Sequence, residues 1–330
     1  KQPGALDTVA IGNGDGTYTI DASQVPPDMG DQPGFDVQWL DWDEDGWWDI
    51  YIVNERDDTA SISDGYLGNL LLRNDAGTLT NANDDCLCAV VHDGMGAHLG
   101  DYNRDGHPDL YLAATSNNVL LQMLPDGTYA DMSVVTGADP LDSTIRTMAW
   151  GAVFLDFDND GLLDIAVAEG DLWHEFSEEA VVADMPVDLL QQTMSDSTSL
   201  FEDVSASYGF GQMGSWRTIV AMDHNGDGIL DPLIGDVEKR PMLMMSQGCT
   251  ANGWIAIDAP MHSRVEVTAG DITQTAWTTT HSSFGGANAP VAHFGLGESQ
   301  TVDRIRVVLP GGEEVVLEEA ISARRRVQVR

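Results

Sequence analysis

Four short acidic segments constrain this chain more than anything else in it. "DWDEDGWWD" runs from Asp41 to Asp49, "DYNRDGHPD" from Asp101 to Asp109, "DFDNDGLLD" from Asp156 to Asp164 and "DHNGDGILD" from Asp223 to Asp231. All obey D-x-[DN]-x-D-G-x-x-D, and their starts are 60, 55 and 67 residues apart. Self-similarity at this period signals a propeller, a solenoid or an array of stacked units.

The flanks give the unit. Four and two positions ahead of each segment stand Val37/Trp39, Ala97/Leu99, Ala152/Phe154 and Ile219/Ala221, an alternation that reads as a strand. After the last Asp come Ile50–Val53, Leu110–Ala113, Ile165–Ala168 and Pro232–Gly235. The first three of these are nearly continuous apolar runs, as in strands covered on both faces. Further on, "NLLLRNDAGTLT", "NVLLQMLPDGTYADM" and "SLFEDVS" suit hairpins. One unit is therefore about four antiparallel strands, a propeller blade. The expected fold is all-β: a propeller of four or five four-stranded blades over residues 1–250, followed by a small β domain over 251–330. The "NGDGTYTID" piece (Asn13–Asp21) resembles the outer hairpin of a unit. Pairing it with the last blade closes the ring and removes exposed edges. The insertion at 171–199 predicts a short amphipathic helix with Val187, Leu190 and Met194 toward the body, serving as a ligand surface or a cap.

Positions 1, 3, 5 and 9 of each segment carry oxygen side chains, position 6 is the Gly of a sharp turn, and the position-7 carbonyl supplies another oxygen. The candidate ligands are Asp41, Asp43, Asp45, Trp47 (carbonyl) and Asp49; Asp101, Asn103, Asp105, His107 (carbonyl) and Asp109; Asp156, Asp158, Asp160, Leu162 (carbonyl) and Asp164; Asp223, Asn225, Asp227, Ile229 (carbonyl) and Asp231. Such a set fits Ca²⁺, which takes about six to eight oxygens, better than Mg²⁺, which demands octahedral geometry and dehydrates reluctantly. About four structural Ca²⁺ per chain are expected. An EF-hand needs a bidentate Glu at position 12; here that position holds Ile52, Leu112, Val167 and Ile234, so EF-hands are excluded. The competing reading is that the carboxylates only cap turns through Asx hydrogen bonds. The aromatics at position 2 (Trp42, Tyr102, Phe157) are expected to pack where units meet.

These residues resemble FG-GAP/VCBS repeats of integrin-α-like propellers, in phrases such as "GAVFLDFDNDGLLDIAVAEG" and "LFEDVSASYGF". The tail resembles an ASPIC/UnbV domain through Arg264–Val267, His293–Gly297, Val302-Asp303 and Pro310–Gly312. Fewer repeats are present than a seven-bladed ring requires. Read from its own residues, the tail is a small β unit begun by Trp254, Ile255 and Ile257, and His293 reads as a packed strand-end residue.

Charge and missing motifs narrow the function. Fifteen basic residues face 54 acidic ones, a formal net of −39, and Lys1 and Lys239 are the only lysines. Such a chain repels nucleic acid and anionic membranes and attracts cations. Four Ca²⁺ would offset only part of that excess. No apolar run approaches the ~20 residues that span a bilayer. The chain starts at Lys1 rather than Met, which leaves room for a signal peptide or anchor already removed. Cys86-Leu-Cys88 with His92 nearby falls short of a full metal-ligand set, and a secreted protein would pair Cys249 with one of the two. No G-x-S-x-G, Walker A or G-x-G-x-x-G occurs, and "HEFSE" (His174–Glu178) lacks the second His of a zinc hydrolase. The expectation is a non-catalytic, calcium-stabilised binding or adhesion module, extracellular, on the cell surface or periplasmic. Its partner would be a protein or a polysaccharide. Two alternatives stay open: a subunit of an extracellular assembly that binds copies of itself, and a carbohydrate-active enzyme.

Overall fold

The computed structural model describes residues 8–21, 23, 25–26, 34–55, 68–90, 93–115, 117–139, 148–171, 184–195, 198–247, 251–279 and 281–330. Strands dominate, and they follow the predicted unit. The first sheet runs Gly34–Leu40, Asp49–Asn54, Leu70–Asp75, Thr78–Asn81 in spatial order, every pair antiparallel. The second repeats it with Gly94–Gly100, Asp109–Ala114, Val119–Met123 and Tyr129–Asp131. The third uses Ala149–Leu155, Asp164–Glu169, Val187–Ser195 and Thr198–Asp203. The fourth has three strands among the described residues: Trp216–Met222, Asp231–Asp236 and Met242–Leu243. Each acidic segment joins a first strand to a second. The second strands of sheets two and three are buried along their whole length, which accounts for their unbroken apolar runs.

The first strands pack side by side in chain order, sheet one on two, two on three and three on four. Apolar clusters fill the seams between sheets. Leu40, Tyr51 and Leu71 meet Ala97, Leu110 and Leu121; Val153, Leu155 and Ala168 meet Trp216, Ile219 and Ile234. The position-2 aromatics lie in these seams as expected: the Trp42 indole N–H donates to the Gly127 carbonyl of the second sheet at 2.8 Å, and Tyr102 packs on Phe201 of the third.

The tail has a core of its own, built from Ile255, Ile257, Val265, Val267, Phe294 and Ile305. Gly253–Asp258 pairs antiparallel with Val291–Gly297 and parallel with Arg325–Gln328. A second sheet orders Ile272–Trp277, Arg264–Ala269, Arg304–Val308 and Glu314–Leu317. Between these elements a small hairpin, His281–Ser283 with Gly286–Ala287, leaves the tail and touches the first strands of all four repeat sheets. Phe284 at its turn packs on Phe35 and Trp150, ring centroids 6.3 and 5.2 Å away. The Ser283 hydroxyl accepts the Ile219 N–H, the Asn288 side-chain oxygen accepts the Ala221 N–H, and His281 Nε2 lies 2.9 Å from Asp36. Gly96 and Gly151 make this approach possible: a Cβ on Gly96 would lie 2.7 Å from the Trp150 carbonyl, and one on Gly151 would lie 2.2 Å from Ser283 Oγ.

Three expectations are corrected. Val187, Leu190 and Met194 lie on a strand, not a helix; the run is zipped between Asp164–Glu169 and Thr198–Asp203, so ladder pairing overrides the three-to-four spacing. Residues 172–183 and 196–197 of that insertion lie outside the described residues. The N-terminal hairpin forms (Ala10–Gly12 with Tyr18–Ile20), but as a two-stranded sheet by itself, with Ile11, Tyr18 and Ile20 exposed, and not as part of the fourth sheet. Cys86 bonds to Cys88 instead of Cys249, so neither thiol serves a metal; Cys249, His92 and His174–Glu178 lie outside the described residues. Among the described residues no helix is long and apolar enough to cross a membrane.

Candidate cation-binding loops

The four acidic loops share one backbone path. Position 4 is left-handed in each (Glu44, Arg104, Asn159 and Gly226, φ 57 to 77°), and so is the Gly at position 6 (φ 85 to 89°). Two left-handed turns within three residues fold the loop back on its first carboxylate. That Asp accepts the position-6 N–H in every copy: Gly46 to Asp41, Gly106 to Asp101, Gly161 to Asp156 and Gly228 to Asp223. The position-5 Asp accepts the N–H two residues on, at Trp47, His107, Leu162 and Ile229.

The last Asp does something that its acidity alone does not announce. One oxygen of Asp49, Asp109, Asp164 and Asp231 accepts the N–H of position 2, at Trp42, Tyr102, Phe157 and His224. The other accepts an N–H from the chain at or just after the third strand, at Asn74, Met123, Gln192 and Ser246, at 2.7–2.8 Å. All four carboxylates are buried. They staple the loop to the third-strand segment, a longer-range structural role than either cation binding or the local turn capping read from the sequence. A second staple ends the first three sheets: Asn83, Ser133 and Ser205 side chains accept the N–H of Leu71, Leu120 and Leu189. Its signal was present in the recurring Asn81-x-Asn83, Asp131-x-Ser133 and Asp203-x-Ser205.

In the first and third loops, carboxylate oxygens of Asp41, Asp43 and Asp49, and of Asp156, Asp158 and Asp164, come within 4.8 Å of one another. In the second and fourth, the amides of Asn103 and Asn225 stand at position 3 and donate to Asp105 and Asp227 at 2.8 Å. Asp43 Oδ2 meets Arg73, and Asp158 Oδ2 accepts from Gln191. Asp43 Oδ1 is buried and without a hydrogen-bond partner. Burial pushes the Asp41 carboxyl up to about 6 and those of Asp49 and Asp101 up to about 7. It raises Asp109, Asp156 and Asp164 well above the usual carboxylate range, with neighbouring carboxylates adding to the effect. Crowded, partly dehydrated carboxylates are an unfavourable arrangement that a hard cation would reverse. The donors are all oxygen, so the set fits such an ion.

The tail lies over these loops. Arg264 donates to the Gly106 carbonyl at 3.1 Å and sits 3.4 Å from Glu44. Asn252 donates to the Asp158 carbonyl, and His293 Nε2 lies 3.0 Å from the Gly228 carbonyl. Burial holds the His293 imidazole below its usual range, the state expected of the packed residue read from sequence. A cavity of about 600 Å³ remains between loops and tail, with Asp101, Asp156 and Asp223 on one wall and Trp254 and Trp277 on the other.

Residues 101–167 match the family model for an FG-GAP-like repeat, and residues 259–330 match the model for ASPIC and UnbV. The chain carries both modules. It is similar to cartilage acidic protein 1 of Homo sapiens, 24% identical over 235 residues, which is 67% of this chain and 34% of that protein. The chain thus spans about a third of the length of that relative. A rhamnogalacturonan lyase of Bacillus licheniformis aligns with 88% of this chain and 58% of its own at 12% identity, with a TM-score of 0.34, too low to bear on fold or chemistry.

Proposed function

We propose that the four sheets are blades of a small propeller whose loops each hold a structural Ca²⁺. The protein is then a non-catalytic extracellular binding module, with residues 251–330 as its second domain. The observation that carries the reading is the fourfold recurrence of one oxygen-lined loop path, with three carboxylates converging in the first and third copies. The side-chain ligands are those at positions 1, 3, 5 and 9, with the carbonyls of Trp47, His107, Leu162 and Ile229 completing each set. Bound Ca²⁺ supplies charge balance; the chain's own carboxylates tie three strands of each blade to one point. The partner is an extracellular protein or polysaccharide.

The decisive experiment is a thermal melt of chelated protein with and without added Ca²⁺, paired with metal counting by native mass spectrometry. A large calcium-dependent rise with about four ions per chain supports the reading. No shift and no metal would leave the loops as turn caps. The exposed apolar side chains of the hairpin at Ala10–Ile20 favour a second reading, a subunit that assembles with its own copies. Light scattering across a concentration series separates the two.

A further inference from the structure

The loops are not four separate sites. The position-4 side chains of the first three, carried on the left-handed residue and therefore thrown outward from the loop, each reach the next loop in order. Glu44 of the first lies 3.5 Å from His107 of the second. Arg104 of the second donates to the Gly161 carbonyl of the third at 2.6 Å. Asn159 of the third donates to the Gly228 carbonyl of the fourth at 3.0 Å. The two carbonyls belong to position 6, beside the position-7 peptide that is a candidate ligand. The fourth loop has Gly226 at position 4, so it carries no arm; the tail's His293 and Trp254 pack on its Gly228 instead.

We propose that Asn159 is a positioning residue that couples cation binding in the third loop to cation binding in the fourth, and that Arg104 does the same from the second to the third. This rests on the reading that the loops hold Ca²⁺. An ion in the third loop fixes the backbone of Asp156–Asp160, and with it the direction of the Asn159 amide. That amide fixes the Gly228 carbonyl and the turn leading to Ile229. The fourth loop then starts its own binding with less conformational freedom to lose, which is positive coupling between sites without a shared ligand. Asn159 is fully buried, so its arm has no solvent-exposed alternative.

Asn159 is the place to test it. Arg104 carries a charge that acts on Asp101, Asp156 and Asp160, and its removal would mix repulsion with positioning. Asn159 is neutral, and at φ 59° glycine replaces it without backbone strain, as Gly226 does in the fourth loop. The full chain is chelated and titrated with Ca²⁺ by calorimetry, as wild type, Asp158→Ala, Asn159→Gly and the double variant. Asp158→Ala weakens the third loop directly. In the wild-type background it also weakens the remaining sites by roughly fivefold, the low end of ordinary coupling. In the Asn159→Gly background it no longer weakens the fourth loop, although the second still feels it through Arg104, and Asn159→Gly alone keeps the metal count. A residue with a purely structural role would lower the melt of the chelated protein and leave the spread between backgrounds unchanged. Equal remaining affinities with and without Asp158→Ala would overturn the coupling while leaving calcium binding intact. Failure of wild type to bind Ca²⁺ would overturn the calcium reading instead. Should Asn159→Gly not fold, the comparison of wild type with Asp158→Ala still decides whether the third loop acts on its neighbours.

Discussion

Asp164→Ala and Asp158→Ala remove carboxylates from the same loop, yet the structure gives them different costs. Asp164 accepts the N–H of Phe157 at 3.1 Å and that of Gln192 at 2.8 Å, and it is buried. Alanine leaves both amides without an acceptor, and each buried unsatisfied donor costs about 1–3 kcal/mol, so the pair amounts to roughly 2–6 kcal/mol. Part of this is offset in metal-free protein at neutral pH, because the variant no longer buries a carboxylate whose ionisation burial opposes. Asp158 is half-buried, and its Oδ1 and Oδ2 accept from the Asp160 N–H and the Gln191 amide. Its removal also relieves repulsion on Asp156. The expected outcome in urea denaturation is that Asp164→Ala destabilises by about 2 kcal/mol or more in chelator and by a larger amount in calcium. Asp158→Ala should be near neutral in chelator and lose in calcium its own site's increment, about 2.7 kcal/mol where Ca²⁺ stands a hundredfold above its dissociation constant, together with what the coupled loops lose. If Asp164→Ala unfolds at the same urea concentration as wild type in chelator, the carboxylate is a ligand and nothing more, and the staple argument fails.

Three further predictions concern protons and packing. In chelated protein the raised carboxyls of Asp41 (about 6) and of Asp49 and Asp101 (about 7) hold protons that the unfolded chain has already released, so stability falls as pH rises from about 4 to 7. Added Ca²⁺ should flatten that slope, and a chelated melt independent of pH would contradict it. His98 acts with the opposite sign: burial, then the nearby His281, lowers its pKa to about 3, so the stability it contributes is present above about 6.5 and is lost as pH falls toward 3. His98→Gln should resist acid better than wild type, and taking the difference between the two cancels the carboxylates. Gly151→Ala drives a methyl into Ser283 Oγ and the Arg217 carbonyl, an overpacking cost of about 1–3 kcal/mol. Limited proteolysis of that variant should release a tail fragment at protease levels that leave wild type intact; equal resistance would mean that the hairpin is not seated as described.

What was legible in the sequence was whatever repeats. Each D-x-[DN]-x-D-G-x-x-D recurs on the same strand–loop–strand path, so a fourfold pattern carried the loop, its flanking strands and the hairpins after them. Two features that occur once were not legible. Val187–Ser195 offers apolar residues at both helical and strand spacing, and only the neighbouring strands decide between them. The tail hairpin that reaches four sheets depends on Gly96, Gly151 and Phe284 meeting across more than a hundred residues of chain, and none of the three stands out in its own neighbourhood. The position-9 staple lies between these cases. Its residues were found from the motif, but their bonds run to backbone amides, whose partners no side-chain pattern encodes.

If the loops hold Ca²⁺ as proposed, their carboxylates have two roles, and the structural one explains why the loops are so acidic where fewer ligands would bind an ion. Position 9 is committed to backbone amides in all four copies, and position 1 holds the turn at position 6. An Asn at either place would keep one acceptor oxygen but set its amide against a backbone N–H, so the staples themselves require carboxylates. Position 3 accepts a single backbone N–H, that of position 5 in loops two, three and four, which an Asn oxygen does as well as a carboxylate. It is the place where the motif varies, Asp in loops one and three and Asn in two and four. The variation falls where ligand charge alone is at stake. Loops one and three therefore carry one more negative charge toward a cation, and the arms of Glu44 and Asn159 run from those two loops to the less charged pair. Loading should thus begin at loops one and three and pass to two and four.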